Sequence, residues 1–319
     1  MRTTVIALGY QDNWWQILTS AFMRNALVGG TLVALAAGLI GYFIVVRNTA
    51  FAAHALAHIG FPGATGAVLV GVPVSVGLGV FCIGGALVIG ALGKRADDRE
   101  VATGTVLAAA TGLGLFFSSL ATRSSSTVTN VLFGNLLAVS HEQLIIFAVL
   151  VAVLAVVIAS IYRPLLFASV NAEVAEARGV PVRALSVVFM VLLGLAVTMA
   201  VQAVGTLLLF ALVVTPAATA IMLTARPGAA MAVSTALSIV GVWAGLAISA
   251  MFNMPPSFPI VTIVCVIWLG VWLVVNGAGP RYDERRGARG AGVARSGAAS
   301  KAPPAAHGAA ASGSVRPMN

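Results

Sequence analysis

Two histidines four residues apart are the side chains of this sequence best suited to hold a metal ion. His54 and His58 lie within an otherwise apolar stretch, residues 52–58. On an α-helix this spacing places both imidazoles on one face, with about 6 Å of rise between them. Neutral imidazole binds Zn²⁺ and other borderline transition metals. The pair is our candidate metal site; the alternative is two histidines that hydrogen-bond neighbouring helices, since a resident zinc ion takes about four ligands.

The residues around this pair do not support hydrolytic chemistry. Intramembrane metalloproteases use His-Glu-x-x-His, whose glutamate is the general base, but Ala55 occupies that position here. No carboxylate lies within helical reach of either histidine to activate a metal-bound water. A phosphate-binding loop is also missing, because Gly93-Lys94 is followed by Arg95 instead of Ser or Thr. We therefore predict no catalytic residue, no permanently bound cofactor and no ATP hydrolysis by this chain.

The composition indicates that the histidines belong to a membrane protein. Of 319 residues, 60% are hydrophobic and 8% are charged, whereas a soluble domain carries about 25% charge. This argues against a soluble enzyme and a disulfide-stapled secreted domain. The net charge of +9 does not indicate a nucleic-acid partner, because seven of the 18 Lys and Arg residues lie in the tail 277–319. The basic residues are instead markers of membrane topology.

Long apolar runs predict the helices that carry the pair, since a membrane span needs about 20 mostly apolar residues. Charge-free runs cover 25–46, 59–93, 101–122, 143–162, 184–225 and 227–280. The last two are long enough for two spans each, with breaks predicted at Gly205 and around Met254-Pro255-Pro256. A shorter candidate, 48–66, contains both histidines, and we expect Pro62-Gly63 to break its helix and open a cavity. The predicted fold is an all-α polytopic membrane protein with eight or nine transmembrane helices.

The distribution of basic residues predicts the orientation and the domain organisation. If nine helices cross, the N-terminus is outside and most Lys and Arg residues are cytoplasmic; if 48–66 re-enters, eight cross and the N-terminus is inside. Residues 1–276 form the transmembrane domain. Residues 277–319 lack Leu, Ile, Phe and Trp, so we predict a disordered, basic, Ala/Gly/Arg/Pro-rich cytoplasmic tail, solvated or touching anionic membrane lipid.

The longest predicted cytoplasmic loop contains a second candidate functional element. Residues 171–179, NAEVAEARG, have helix-forming composition, with Asn171 suited to the N-cap and Gly179 to the C-cap. The pattern predicts a short surface helix between two spans. Such a helix is either a docking element for a partner or a solvated connector.

Several strings in this sequence resemble those of one transporter family. Residues 132–140, LFGNLLAVS, are similar to its LFGNILAVS, and residues 214–220, VTPAATA, to its VIPAATA. Gln202 with Gly205 follows its Q-x-x-G pattern, and Arg99-Glu100 with Gly104 its R-E-x-x-x-G. Over about residues 20–275 the chain thus resembles the membrane permease subunits of bacterial ABC importers for zinc, manganese and iron.

The resemblance implies roles for both candidate elements. Segment 171–179 is similar to the family's DPEFARALG, the coupling helix that contacts the ATPase, so the implied coupling residues are Asn171, Glu173, Ala175, Glu176 and Gly179. His58 matches the histidine of the family's GDALSH, whose Asp and His line the metal path, and His54 stands where the family has Asp. An uncharged, softer pair should favour zinc over manganese.

The function that the resemblance implies is the permease subunit of an ATP-driven importer of a divalent transition metal, zinc first, with manganese or iron as alternatives. Its partners would be a second copy in a homodimer, cytoplasmic ABC ATPases and an extracytoplasmic metal-binding protein, in the bacterial cell membrane. A gradient-driven metal transporter or channel is the main competitor. All nine acidic residues lie in the termini or predicted loops, which counts against proton coupling. A membrane scaffold whose histidines merely pack is the second competitor.

Overall fold

The structure is a computed structural model that describes residues 14–92, 96–120, 124–206 and 209–277. Within these ranges the regular structure is entirely helical, which confirms the all-α prediction. The helices are α1 (Trp14–Thr19), α2 (Ala21–Val46), α3 (Ala50–Val70), α4 (Val74–Leu92), α5 (Ala96–Leu120), α6 (Ser124–Phe133), a 3₁₀ turn (Leu136–Ala138), α7 (His141–Val170), α8 (Ala172–Ala177), α9 (Val182–Val204), α10 (Leu209–Val213), α11 (Thr215–Leu223), α12 (Pro227–Phe252) and α13 (Ser257–Gly277).

Eight of the described helices are long and apolar enough to cross a membrane: α2, α3, α4, α5, α7, α9, α12 and α13. This count lies within the predicted eight or nine. Both predicted breaks are confirmed, because α9 ends at Val204 before Gly205, and Asn253-Met254-Pro255-Pro256 separates α12 from α13. Segment 48–66, the short candidate span of the sequence analysis, lies almost wholly in α3, which is 21 residues long. The short segment follows Gly205 instead.

The segment after Gly205 runs through the bundle as two short helices. At Gly30, α2 contacts Leu136 and Val242, whereas at Gly41 it contacts Val213 and Ala217. Eleven helical residues separate these points, about 16 Å along α2. Helices α10 and α11 therefore pack on α2 near Gly41, and α12 then runs back along α2 toward Gly30. Pro216 lacks the N–H that a continuous helix would need, which explains the break between α10 and α11.

This segment, α10 and α11, is called the broken passage below, and it is shorter than the eight long helices. It extends between two ends of the bundle that are used below as reference points. At the Gly205 end, Gly205 touches the backbone of Gly134, and both glycines have positive φ, 88° and 73° respectively. At the Arg47 end, Arg47 meets Ser169 and Ser186. Whether eight or nine segments cross the membrane, and on which side the N-terminus lies, remain predictions.

The prediction that Pro62-Gly63 breaks the helix is wrong. Helix α3 is continuous across Pro62, and no break opens a cavity at that point. The rings of Phe61 and Pro62 fit against Gly114 of α5. A Cβ at Gly114 would collide with Phe61 and come within 3.2 Å of Pro62 Cδ. Thr65 Oγ1 also donates to the Phe61 carbonyl at 3.1 Å. Packing against neighbouring helices thus overrides the local tendency of proline to end a helix, as is common inside membranes.

Helices α3 and α4 meet at two glycines. A Cβ at Gly77 would collide with the Gly63 carbonyl oxygen and lie 2.7 Å from Ala67 Cβ. Small residues let the backbones of membrane helices approach closely, and packing rather than hydrophobicity then holds them together. Gly63 lies on the face of α3 opposite the two histidines, so this contact holds that face against α4.

We expect Gly77→Val to destabilise the protein by about 1–3 kcal/mol or more, because the added side chain must separate α3 from α4. The midpoint of thermal unfolding in detergent measures this effect. The matched control is Gly84→Val on the same helix, where a Cβ meets no atom within 4 Å. Equal midpoints for the two variants would contradict the packing described here.

The chain divides into a compact unit over residues 1–272 and a second unit over residues 273–319. Of the second unit the structure describes residues 273–277, which continue α13. The predicted boundary at 276/277 and the disordered tail 277–319 fall almost wholly outside the described residues. Both remain predictions.

Candidate functional site

The two histidines share one face of α3, as their spacing predicts. Their ring centroids are 4.8 Å apart and the rings are nearly perpendicular, at 75°. Both side chains are half-buried, between the fully buried Ala53, Ala55 and Ala57. His54 Nδ1 is buried and has no hydrogen-bond partner among the described residues. A buried ring nitrogen without a partner is costly, and it is available as a ligand atom.

A residue of the broken passage lies against the pair. The Phe210 ring of α10 stands 6.2 Å from the His54 ring, edge to face at 86°. Discontinuous helices line many transporter sites because their ends free backbone groups and leave room for a cargo. The break next to the histidines is therefore in α10–α11, and not in α3 where the sequence suggested it.

The pair has no third protein ligand in the described part of the chain. No group of three or more His, Cys, Asp or Glu side chains is gathered there in a way that could hold a metal. Two neutral imidazoles give one face of a coordination sphere and leave the other positions open. Such a site suits an ion in transit, which is cargo, better than a resident structural ion. Metal contact at His54 and His58 remains a prediction.

A separate polar cavity lies toward the Gly205 end. It has a volume of about 220 Å³, and its polar lining includes Ser75, Asn130, Asn135, Gln143 and Gln202. Gln202 Nε2 donates to the Thr198 carbonyl of its own helix at 3.2 Å. The Asn135 N–H donates to the Gln202 carbonyl at 3.3 Å, which joins the turn after α6 to α9. The cavity is lined by neutral groups and contains neither histidine.

The predicted surface helix is present as α8. Asn171 caps it as predicted, with Oδ1 accepting from the Val174 N–H at 3.0 Å. The C-cap is Arg178 rather than Gly179. Gly179 is the following residue with φ +82°, and the Gly179 and Val180 N–H groups donate to the Glu176 and Ala175 carbonyls. This is a Schellman motif, in which glycine belongs one residue after the cap.

Helix α8 has one buried anchor and an exposed outer face. Ala175 is fully buried, with 0% of its surface exposed. Asn171, Glu173, Glu176 and Gly179 are exposed, as is the apolar Val174. The structure thus brings the five predicted coupling residues together on one short element and leaves most of them accessible. Their contact with an ATPase remains a prediction.

Sequence reasoning missed two residues next to these elements. Phe210 gave no signal, because it is one apolar residue within a long apolar run. Arg47 was covered only by the general prediction that basic residues mark membrane topology, whereas its guanidinium bonds Ser169 at the end of α7 and Ser186 at the start of α9. The sequence feature that could have indicated a role for Arg47 is the position of this single cation between two apolar runs.

The chain is similar to a known transport family along most of its length. A family profile described as the ABC 3 transport family matches residues 19–275. The manganese transport system membrane protein MntC of Listeria innocua is 31% identical over 274 residues, covering 85% of this chain and 96% of that protein. The manganese import system permease protein ScaB of Streptococcus pneumoniae is 31% identical over 256 residues, covering 78% of this chain and 88% of that protein.

A solved structure has the same fold. The structure titled PsaBC from Streptococcus pneumoniae in complex with Fab matches with a TM-score of 0.75 and 28% sequence identity. The match covers 86% of this chain and 99% of the solved chain. The similarity thus includes the histidine-bearing α3, the broken α10–α11 passage and α8.

Proposed function

The chain belongs to the ABC 3 transport family, and we propose that it forms the membrane path of an ATP-driven importer of a divalent transition-metal ion. It is a multi-pass cell-membrane permease subunit and a transport component rather than an enzyme. The resemblance noted in its sequence is thereby confirmed. The single observation that carries the choice of cargo is the paired, half-buried imidazoles of His54 and His58 on α3.

Two observations bear on which metal the importer carries. The relatives MntC and ScaB are named for manganese, which supports manganese as a cargo of this chain. The imidazole pair supports zinc, because neutral nitrogen ligands suit zinc and copper, whereas manganese prefers carboxylate and other oxygen ligands. No carboxylate completes a metal-binding group with the pair among the described residues. We therefore propose zinc as the preferred ion, with manganese as the competitor.

The proposed complex contains two copies of this chain, two cytoplasmic ATPases and an extracytoplasmic metal-binding protein. Helix α8 offers the ATPase its exposed face and is anchored in the bundle by Ala175. Closure of the ATPases moves α8, and the path alternates between outward-facing and inward-facing states. A second copy could bring its own histidine pair to the path, so that four imidazoles surround the ion in transit.

The test uses the whole complex reconstituted in vesicles, with ATP on the side of the ATPase and the metal-binding protein on the other. We expect uptake of zinc that stops when ATP is removed, whatever ion gradient is imposed. Unchanged uptake in ATP-depleted vesicles would show a gradient-driven transporter or channel instead. Vesicles that take up neither zinc, manganese nor iron would contradict the metal cargo itself.

The choice of metal is tested by competition in the same vesicles. We expect excess zinc to suppress manganese uptake more than the reverse, and His54→Asp to shift the preference toward manganese by restoring an oxygen ligand. A preference for manganese in the unmodified chain, unaltered by His54→Asp, would mean that this pair does not select the ion.

A further inference from the structure

We propose that Arg47 is a positioning residue that transmits the movement of α8 to the histidine pair. The proposal rests on the proposed function, because it concerns how ATPase closure reaches the metal path. Its basis is that one guanidinium joins three helices at the Arg47 end. It lies at the C-cap of α2, three residues before α3 begins.

The guanidinium contacts both ends of the α7–α8–α9 connection. Nη1 donates to Ser169 Oγ at 3.2 Å, and Nη2 donates to Ser186 Oγ at 2.8 Å. Ser169 lies in the last turn of α7, two residues before the Asn171 cap of α8, and Ser186 lies in the first turns of α9. A displacement of α8 therefore reaches Arg47 from both sides.

The same side chain is held against the core by an aromatic ring. The guanidinium carbon lies 5.1 Å from the ring centroid of Phe189, which is 1% exposed. Phe43, one turn before Arg47 on α2, packs edge to face on that ring at 6.4 Å. A cation over a buried ring in low dielectric is held more firmly than one in water. Arg47 thus moves with the α7–α9 pair.

A tight turn then connects Arg47 to the helix with the histidines. Asn48 has φ +52°, and the Thr49 N–H donates to the Ile44 carbonyl at 2.9 Å. Thr49 is 2% exposed, and its carbonyl accepts from the Ala53 N–H at 3.0 Å, next to His54. These backbone bonds run from the end of α2 through Thr49 to the residue before His54. The turn therefore passes a shift of Arg47 to the start of α3.

Arginine suits this position better than lysine would. Its planar fork donates to two hydroxyls at once while its face covers an aromatic ring, and an ammonium group cannot reproduce that geometry. Arg47 also lines a cavity of about 130 Å³ together with Glu100 and Thr103 of α5, the helix that packs on α3.

The first test compares transport with hydrolysis in the full complex. For Arg47→Met we expect metal uptake about tenfold lower, while ATP hydrolysis stimulated by the metal-binding protein stays within about twofold of the original. Arg47→Lys should recover part of the uptake, and Ser169→Ala with Ser186→Ala should lower it in the same direction. The matched control is Arg163→Met, since Arg163 is an exposed arginine of α7. A proportional fall of uptake and hydrolysis in Arg47→Met would overturn the proposal.

A second measurement follows the movement itself and does not depend on the cargo. Spin labels are placed one at a time at Ala172, the exposed first residue of α8, and at Val70, the 78% exposed last residue of α3, after Cys265→Ser removes the exposed native thiol. We expect ATP to change the spectrum at both positions in the original complex, and only at Ala172 in Arg47→Met. An ATP-dependent change at Val70 that persists in Arg47→Met would contradict transmission through Arg47. A complex that hydrolyses ATP and moves Val70 but imports no metal would refute the proposed cargo alone.

Discussion

Replacing both histidines, His54→Ala with His58→Ala, is expected to lower ATP-driven zinc uptake by about tenfold or more, because even indirect supports of a metal ligand are typically worth 10–100-fold in affinity. Hydrolysis of ATP should continue, since neither histidine belongs to α8, the proposed contact with the ATPase. Uptake of radioactive zinc by vesicles, measured beside phosphate release, separates the two effects.

The control for this variant is His141→Ala, because His141 is an exposed histidine at the start of α7. Its uptake should match that of the original chain. If the double variant transports zinc as well as this control does, the two rings on α3 merely pack. The buried and unpartnered Nδ1 of His54 would then be a structural cost without a transport role.

Ala175→Asp is expected to abolish uptake by displacing α8 from the bundle, against which Ala175 packs. Ala175 is fully buried, and an unpaired carboxylate at such a position costs several kcal/mol. The helix is six residues long, so it has little else to hold it against that cost. We expect the ATPase subunit to be lost during purification of the complex, and uptake to fall with it. The stoichiometry of the purified complex measures the first effect directly.

Ala172→Asp is the matched control for α8, since Ala172 is exposed in the first turn, where a carboxylate is favourable. This variant should purify with its ATPase. If Ala175→Asp also retains the ATPase and its uptake, α8 is a solvated connector and the ATPase docks elsewhere. Retained ATPase with lost uptake would instead mean that α8 is needed for coupling but not for assembly.

Features that depend on a few neighbouring residues were predicted correctly from the sequence. The i, i+4 spacing sets the relative position of His54 and His58 whatever surrounds them. The Asn171 cap is likewise local, because its side chain bonds a backbone group three residues away. The break at Gly205 could likewise be predicted from the residue type, since glycine adopts positive φ without a steric cost.

Features that depend on distant residues were predicted poorly. Whether Pro62 breaks α3 is decided by Gly114, more than fifty positions away, whose missing side chain makes room for the proline ring. The ring beside His54 comes from Phe210, and nothing in the local sequence distinguishes this phenylalanine from its apolar neighbours. The bonds of Arg47 to Ser169 and Ser186 span 122 and 139 residues, respectively. Such contacts become visible only once the helices are packed.

The backbone contact between Gly134 and Gly205 limits which substitutions can compensate one another. Each glycine has positive φ, and each excludes a side chain on the other, because a Cβ at either position would collide with its partner's backbone. A harmful substitution at one of them has no compensating substitution at the other, since the partner is already the smallest residue. Neither the turn after α6 nor the turn at Gly205 can therefore accept a side chain through a change in the other, and genetic suppressors of a lesion here must arise elsewhere in the chain.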